Sequence, residues 1–465
     1  MTETGQIKSV YFLGIGGIGM SALARWFNHS GARVAGYDRT PSRLTEELIR
    51  EGIPVHYNDL GKEVKSLTGT REDTLVVITP AVPSDHGEWS WFRKSGFPIV
   101  KRSKALGMIC NPHRCIAVAG THGKTTVSTM VATILKNSTQ NCGAFLGGIS
   151  KNFNSNLILP GPGNPWIVTE ADEYDRSFLE LEPDVAVITY MDADHLDIYG
   201  VYEEMEASFL RFSEKVKSGG SLLVNKELTP HFMPSAQQRI MTYSLSGEAD
   251  FTTSGLALHP ETSCYIFVIK TPGGTTPLIE MDYPGLHNVE NAVAAAGTAF
   301  LAGASLDEIA RGLEKYSGVR RRFDIRFKNS RTLFIDDYAH HPRELKALIT
   351  SVRLLYPNRK IYGIFQPHLY SRTRDFAEEF AQSLDLMDGA LLLPIYPARE
   401  KPIPGVTSGT ILQFMTLENK QIAGKAEVPG WIRRNKPGVL LTMGAGDIEL
   451  MTDEIVTLLE YETNR

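Results

Sequence analysis

The sequence predicts an α/β protein of three domains: an N-terminal Rossmann-like parallel sheet, a central P-loop ATPase-type α/β domain with a small antiparallel elaboration, and a C-terminal Rossmann-like α/β domain. Three observations predict it. At 465 residues the chain exceeds what one hydrophobic core sustains. Short apolar runs alternate with helix-period segments along most of it, the pattern of βαβ units and parallel sheets. Two glycine-rich turns, Gly14 to Met20 and Gly120 to Thr126, each join such a run to a helix-like segment, a geometry that holds phosphate. The expected domains are 1–106, 107–317 and 318–465.

Composition narrows the function classes. With 42% hydrophobic residues, 22% charged and a net charge of −5, the chain resembles neither a nucleic-acid binder nor a membrane-surface protein. The opening MTETGQIKSV is polar and carries no signal pattern, and no apolar run approaches the ~18 residues of a spanning helix. A soluble, cytoplasmic protein is therefore expected, without nucleic-acid or membrane partners; the oligomeric state stays open, a homodimer included. Cys110, Cys115, Cys142 and Cys264 form no CxxC pair or metal spacing and read as reduced structural thiols.

In chain order, Val10 to Leu13 is a β-rich run feeding Gly14-Ile15-Gly16-Gly17-Ile18-Gly19-Met20 and a helix that ends near Gly31. Asp38 closes the next strand, Arg33 to Tyr37. Taken alone this is a dinucleotide fingerprint, but the same turn holds any diphosphate, so NAD, FAD and a nucleotide sugar are all open. Leu75 to Thr79, Gly87 to Lys94 and Phe97 to Val100 continue the strand and helix alternation to about Leu106.

The second unit opens on Gly120-Thr121-His122-Gly123-Lys124-Thr125-Thr126, after the apolar Ile116 to Ala119 and before a helix from Val127 to Asn137. Backbone N–H groups in this turn would face an anion, Lys124 supplies a mobile cation, and the Thr125 hydroxyl can ligate phosphate-bound Mg²⁺. The strict G-x-x-x-x-G-K-[ST] pattern fails by one residue, its first glycine falling at Val118. Trp166 to Thr169 runs into Glu170-Ala171-Asp172-Glu173, and Val185 to Thr189 into Asp192-Ala193-Asp194-His195-Leu196-Asp197. Carboxylates crowded at strand ends are costly unless they share a cation, so Glu170 and His195, with Thr125, read as hard-metal ligands beside the nucleotide. Ala249 to Met281 reads as antiparallel, broken at Pro272-Gly273-Gly274. Asn291 lies one turn into an Ala-rich helix; it serves either as helix-start chemistry or as an amide facing a purine.

The third unit begins at Gly318-Val319-Arg320-Arg321-Arg322. Thr332 to Ile335 runs into Asp336-Asp337-Tyr338-Ala339-His340-His341-Pro342, and Lys360 to Phe365 into Gln366-Pro367-His368-Leu369-Tyr370-Ser371-Arg372. Ala390 to Leu393 and Val439 to Thr442 complete four apolar strands, the last meeting Gly444-Ala445-Gly446-Asp447.

GTHGKTT, EADEYDRSF, DADHLDIYG, HNVENAVAAA, GVRRRF, DDYAHHP and FQPHLYSRTRDF, in that order behind an N-terminal LGIGGIGMSALA, resemble the Mur ligase family from about Tyr11 to Asp447. The resemblance implies an N-terminal domain for a UDP-linked sugar, a central ATPase domain and a C-terminal domain that closes over both. It implies ATP binding by Gly120 to Thr126, with Asn291 at adenine and Arg321 and Asp337 along the nucleotide. Mg²⁺ would be held by Thr125, Glu170 and His195. Gly14, Gly16, Gly17, Ile18, Gly19, Met20 and Asp38 would serve the UDP-sugar, which selects among the ligands left open above. Tyr338, His340 and Arg372 would form the amino-acid pocket, with Lys124, His340 and Arg372 catalytic.

The activity so implied is ATP-dependent joining of L-alanine to the lactyl carboxylate of UDP-N-acetylmuramate through an acyl phosphate, in peptidoglycan precursor synthesis. The residue types suit it: a carboxylate is a poor acylating agent until phosphorylated, and a lysine with Mg²⁺ screens the approach of two anions. Arginine can grip both oxygens of an amino-acid carboxylate, and a neutral His340 can take a proton from the amine. Two departures stand out. The lysine that several relatives carry as a carbamate is absent from Glu206-Ala207-Ser208-Phe209-Leu210, and Leu369 stands where some have arginine. The alternatives are attachment of a preformed tripeptide to the same sugar nucleotide, an NAD(P)-dependent oxidoreductase using the first glycine turn, and a non-enzymatic nucleotide-binding scaffold.

Overall fold

The computed structural model describes residues 7–192, 199–232, 238–259, 264–398 and 400–463. Its contacts divide the chain into two compact units, Met1–Tyr283 with His287–Ser317, and Pro284–Leu286 with Gly318–Arg465. Among the described residues no helix is long and apolar enough to cross a membrane.

The first unit holds two sheets. β1 (Ser9–Leu13), β2 (Arg33–Tyr37), β3 (Val55–His56), β4 (Thr74–Ile78) and β5 (Ile99–Lys101) are all parallel, in the order β3-β2-β1-β4-β5. The order in which strands are added reverses between β1 and β4, which opens a crevice at their carboxyl ends, where the first glycine turn lies. β1 is buried at every position because both its faces are covered: Val10 and Phe12 pack with Phe27 of α1 (Ile18–His29), and Tyr11 and Leu13 pack with Phe92 on the other side. This is why β1 reads as continuously apolar. The remaining helices of this sheet are α2 (Arg43–Arg50), α3 (Gly87–Lys94) and α4 (Arg102–Cys110). Position 106 falls inside α4.

The second sheet contains β6 (Arg114–Ala119), β7 (Cys142–Ser150), β8 (Ser155–Ile158), β9 (Trp166–Glu170), β10 (Val185–Ile188), β11 (Ser221–Asn225), β12 (Arg239–Ser244), β13 (Phe251–Leu258), β14 (Tyr265–Thr271), β15 (Gly274–Thr275) and β16 (Ile279–Met281). The order is β15-β14-β13-β12-β11-β10-β6-β9-β7-β8, with β16 on β14. From β12 to β7 the pairs are parallel, and β13 to β16 are the antiparallel elaboration, turning at Pro272 to Gly274. The β7–β8 hairpin has no counterpart in the sequence reading, since Gly143, Gly147 and Gly148 blur its alternation. It is the tie between the sheets. Asn156, fully buried, donates from Nδ2 to Ile18 O at 2.6 Å and Ser21 Oγ at 2.9 Å and accepts from Arg25 Nη1 at 2.6 Å.

Helix α5 (Lys124–Lys136) follows β6, and later come α6 (Tyr202–Ser213), α7 (Leu286–Leu301) and α8 (Leu306–Glu314). α8 starts with a capping box between Ser305 and Glu308, a device that satisfies two otherwise orphan N–H groups.

The second unit is one sheet of β17 (Asp324–Lys328), β18 (Leu333–Asp337), β19 (Ile361–Phe365), β20 (Gly389–Leu392), β21 (Lys420–Ile422) and β22 (Val439–Met443), in the order β17-β18-β22-β19-β20-β21. Only β17 is antiparallel. The four strands expected from their apolar runs are the inner ones. The two additions, DIRFK and KQI, are short, charged edge strands, a composition that discourages edge-to-edge pairing and also hides them from a hydrophobic pattern.

Gly312 brings α8 against the helix that carries Lys124. A Cβ there would come within 2.6 Å of Ile134 Cα, a backbone atom that cannot step aside. Gly312→Ala is therefore expected to destabilise the first unit by about 1 to 3 kcal/mol; an unchanged urea midpoint would contradict this packing.

Candidate functional site

The second glycine turn follows β6 with Gly120 at φ +128° and Gly123 at φ +82°. Both conformations favour glycine, and both positions lack room for a side chain. A Cβ at 120 would overlap Thr189 Oγ1, and one at 123 would sit 2.7 Å from Asn291 Oδ1. Thr121 and His122 fasten the turn to the end of β10: Thr121 N donates to Tyr190 O at 2.9 Å, Asp192 N donates to Thr121 Oγ1 at 3.1 Å, and His122 Nε2 lies 3.3 Å from Asp192 Oδ2. Thr126 is buried in the first turn of α5.

Lys124 starts α5. Its ammonium donates to Gly120 O and to Glu173 Oε1, each at 2.7 Å. Burial pushes this group toward neutrality, but Glu173, Glu170 and Asp172 together more than offset it and raise the lysine above its ordinary range. The cation is thus held in place and held charged. Thr125 Oγ1 donates to Glu170 Oε2 at 2.7 Å. Gly147 of β7 faces this pair so closely that a Cβ would overlap Glu170 and come 2.9 Å from Thr125 Oγ1. A hydroxyl and a carboxylate converging on a glycine-lined space form a hard-oxygen donor set that suits Mg²⁺. His195, the third expected ligand, lies outside the described residues.

The first glycine turn meets the same segment. Gly14 is at φ +89°, and Gly16 N donates to Asp38 Oδ2 at 2.7 Å, so Asp38 braces the turn itself. Gly17, Ile18, Gly19 and Met20 line a cavity of about 310 Å³ whose other walls are Thr79, Arg102, Phe145 to Gly147, Thr169, Glu170 and Asp172. Glu170 therefore serves both the cavity and the lysine loop.

Asn291 and Asn288 lie inside α7, so neither caps it. Asn291 Nδ2 donates to Asn288 Oδ1 at 3.2 Å, which turns Asn291 Oδ1 toward Gly123. Sequence reasoning singled out Asn291 and passed over Asn288, although the two stand one helical turn apart. It also named the string Glu170 to Glu173 without seeing that Glu173 takes the lysine. In the Glu206 to Leu210 stretch, Phe209 packs edge-on against Phe178 at 5.3 Å and Glu206 pairs with His231 at 2.5 Å.

The remaining expected residues lie in the second unit. Arg321, at φ +60°, reaches Glu449 Oε2 at 2.9 Å and Asp336 Oδ2 at 3.3 Å, and with Arg322 it lies over the Tyr338 ring. Asp337 accepts from Phe323 N at 2.6 Å and Ala339 N at 2.8 Å; burial nevertheless pushes its carboxyl up from 3.8 to about 6. His340 sits 5.3 Å from Tyr338 and 5.9 Å from His368, ring to ring. Its Nδ1 is 3.0 Å from Tyr338 O. A carbonyl only accepts, so Nδ1 carries the proton and Nε2 keeps a lone pair. Burial lowers the His340 pKa; Glu344 opposes that and Arg372 adds to it. Leu369, at φ +70°, leads into the short helix of Arg372. Tyr338, His340 and Arg372 are thus one neighbourhood.

Family models described as "Mur ligase family, catalytic domain", "Mur ligase middle domain" and "Mur ligase, glutamate ligase domain" match residues 9–114, 118–299 and 321–446. The chain is 45% identical to a UDP-N-acetylmuramate–L-alanine ligase of Cytophaga hutchinsonii, over 98% of this chain and 97% of that one. It is 46% identical to the protein of the same name from Parabacteroides distasonis, over 98% of each. A crystal structure of a UDP-N-acetylmuramate-alanine ligase from Thermotoga maritima superposes with a TM-score of 0.81 at 28% identity, over 98% of this chain and all of that one. A murein peptide ligase from Psychrobacter arcticus, at 21% identity and a TM-score of 0.71 over 97% of this chain and 98% of that one, shares the fold. The chain belongs to the Mur ligase family.

Proposed function

We propose that this chain joins L-alanine to the lactyl carboxylate of UDP-N-acetylmuramate, converting ATP to ADP and phosphate, as a cytoplasmic step of peptidoglycan precursor synthesis. The observation that carries the reading is the shared wall: Glu170 faces the cavity of the first glycine turn and touches Thr125 beside Lys124. A sugar-linked acid in the cavity and a triphosphate on the loop would meet there. Relatives at 43 to 46% identity that carry the L-alanine ligase name support it over tripeptide addition, and the lysine loop supports it over nicotinamide chemistry.

In this reading 1–106 takes the UDP-sugar, 107–317 takes ATP, and 318–465 supplies the amino-acid pocket and closes. Gly120 to Thr126 hold the triphosphate, with Asn291 and Asn288 at the adenine edge and Arg321 and Asp337 along the nucleotide. Thr125, Glu170 and His195 would hold Mg²⁺, which when bound would neutralise phosphate charge. Lys124 stabilises the phosphoryl group as the lactyl carboxylate attacks it. Arg372 binds the alanine carboxylate, Tyr338 walls the pocket, and His340 Nε2 takes the amine proton before the amine displaces phosphate from the acyl phosphate.

Lys124→Ala should lower phosphate release with UDP-N-acetylmuramate, ATP and L-alanine by roughly a thousandfold. A native rate, or equal rates with a tripeptide in place of alanine, would end the proposal. The Asp337 shift sets a second expectation. Its folded pKa is raised, so the folded chain holds a proton that the unfolded chain releases above pH 3.8, and the associated stability is lost as pH rises toward about 6. Asp337→Asn should therefore gain melting temperature relative to the native chain between pH 4 and pH 7; a constant difference across that range would contradict the assignment.

A further inference from the structure

Arg372, assigned above to the alanine carboxylate, stands on a helix of only 6 residues, Tyr370–Asp375. A helix so short is barely self-supporting, and its first N–H groups need partners from elsewhere in the fold. Leu369, which leads into it, supplies none: it sits at φ +70° and its side chain caps nothing. Among the described residues the Arg372 guanidinium makes no hydrogen bond of its own, so the backbone beneath it sets its reach.

The stretch after β20 holds that backbone from outside. Tyr396 N donates to Pro367 O at 2.8 Å and Leu369 N donates to Tyr396 O at 3.0 Å, while the Tyr396 and His368 rings stack at 5.8 Å. This clamp keeps a non-glycine residue in a conformation that persists only where its surroundings over-determine it. Farther along the same stretch, half-buried Glu400 reaches the helix itself: Oε2 accepts from Ser371 N at 3.0 Å and Oε1 from Ser371 Oγ at 2.5 Å. Burial works against the charge, yet these bonds and one from Tyr370 N hold the carboxyl below its ordinary range. The carboxylate also meets the positive end of the helix dipole. We propose that Glu400 is a positioning residue for the capture of L-alanine: by holding the first turn of this helix it sets where the Arg372 guanidinium meets the amino-acid carboxylate. This rests on the function proposed above. The sign of the effect separates it from plain electrostatics. A negative side chain in this neighbourhood repels an incoming carboxylate, so on charge alone its removal strengthens alanine binding; as the holder of the helix, its removal weakens alanine binding.

The test is steady-state phosphate release by the full-length protein, varying L-alanine, ATP and UDP-N-acetylmuramate in turn with the other two saturating. Glu400→Ala should raise the KM for L-alanine roughly fivefold or more, the size of a lost helix cap, and leave the other two KM values within about twofold of native. Glu400→Gln keeps an acceptor for Ser371 N and a donor for Ser371 Oγ in the same shape, and should recover most of that loss. An alanine KM in Glu400→Ala that is within about twofold of native or below it overturns the proposal, and so does an equal rise in all the KM values. A Glu400→Gln enzyme no better than Glu400→Ala overturns it too. If Glu400→Ala melts early, Glu400→Asp decides: it keeps the charge but falls short of the helix, and an unchanged alanine KM would be equally fatal. A native protein whose phosphate release ignores L-alanine removes the proposed function as well, whereas an alanine-dependent enzyme whose KM ignores Glu400 removes only this inference.

Discussion

A single ammonium among three carboxylates is the constraint that the first unit is built to satisfy. Burial disfavours the charge on Lys124; Glu173, Glu170 and Asp172 more than offset that and hold it above its ordinary range. Taking such a pair out of water gains little or nothing in stability against an apolar replacement, so its presence calls for another explanation, and anion binding is one. β6 and β9 deliver the two halves. They are parallel neighbours with Val118 paired to Glu170, so the turn leaving β6 and the acidic segment leaving β9 emerge side by side. Neither could be moved to another strand without parting the lysine from its counter-ions.

The same acidic segment reaches in the other direction. Glu170 and Asp172 face the cavity under the first glycine turn, while Glu173 holds the lysine. Two phosphate-type turns, more than a hundred residues apart in the chain, are thus served by one short stretch of carboxylates. That arrangement requires the two sheets to be fixed to each other. The β7–β8 hairpin does this through Asn156, whose side-chain amide is fully bonded where it is buried, and Gly147 of the same hairpin leaves the space beside Thr125 and Glu170 open. Support and site are made by one element.

What could be read from the chain alone follows from these physical origins. Strands buried on both faces, such as β1, β6, β10 and β22, announce themselves as apolar runs, and glycines at positive φ mark the two turns. The hairpin and the edges β17 and β21 did not, because glycine dilution and surface charge erase the period on which the reading depends. Within the site, Lys124, Thr125 and Glu170 were legible from type and spacing. Glu173 and Asn288 were not singled out: their significance lies in what they touch, across 49 residues for Glu173 and Lys124, and a linear string carries no such pairing. Asp38 was named for a ligand, and its carboxylate accepts from Gly16 N, a contact no fingerprint distinguishes from ribose recognition.

The second unit has its own electrostatic logic, and under the ligase reading its groups act on one another in sequence. Before the amino acid arrives, burial and the Arg372 charge hold the His340 pKa below its ordinary value, against Glu344, with Nδ1 against Tyr338 O. A neutral imidazole is the form that can accept a proton, but the same depressed pKa makes it a weak acceptor. An amino-acid carboxylate on Arg372 would offset one of the causes that depress it, leaving burial and Arg322 opposed by Glu344. The substrate carboxylate would thereby act to raise the basicity of the group that takes the amine proton. Such coupling needs no moving part; it follows from placing one arginine within electrostatic reach of one buried histidine.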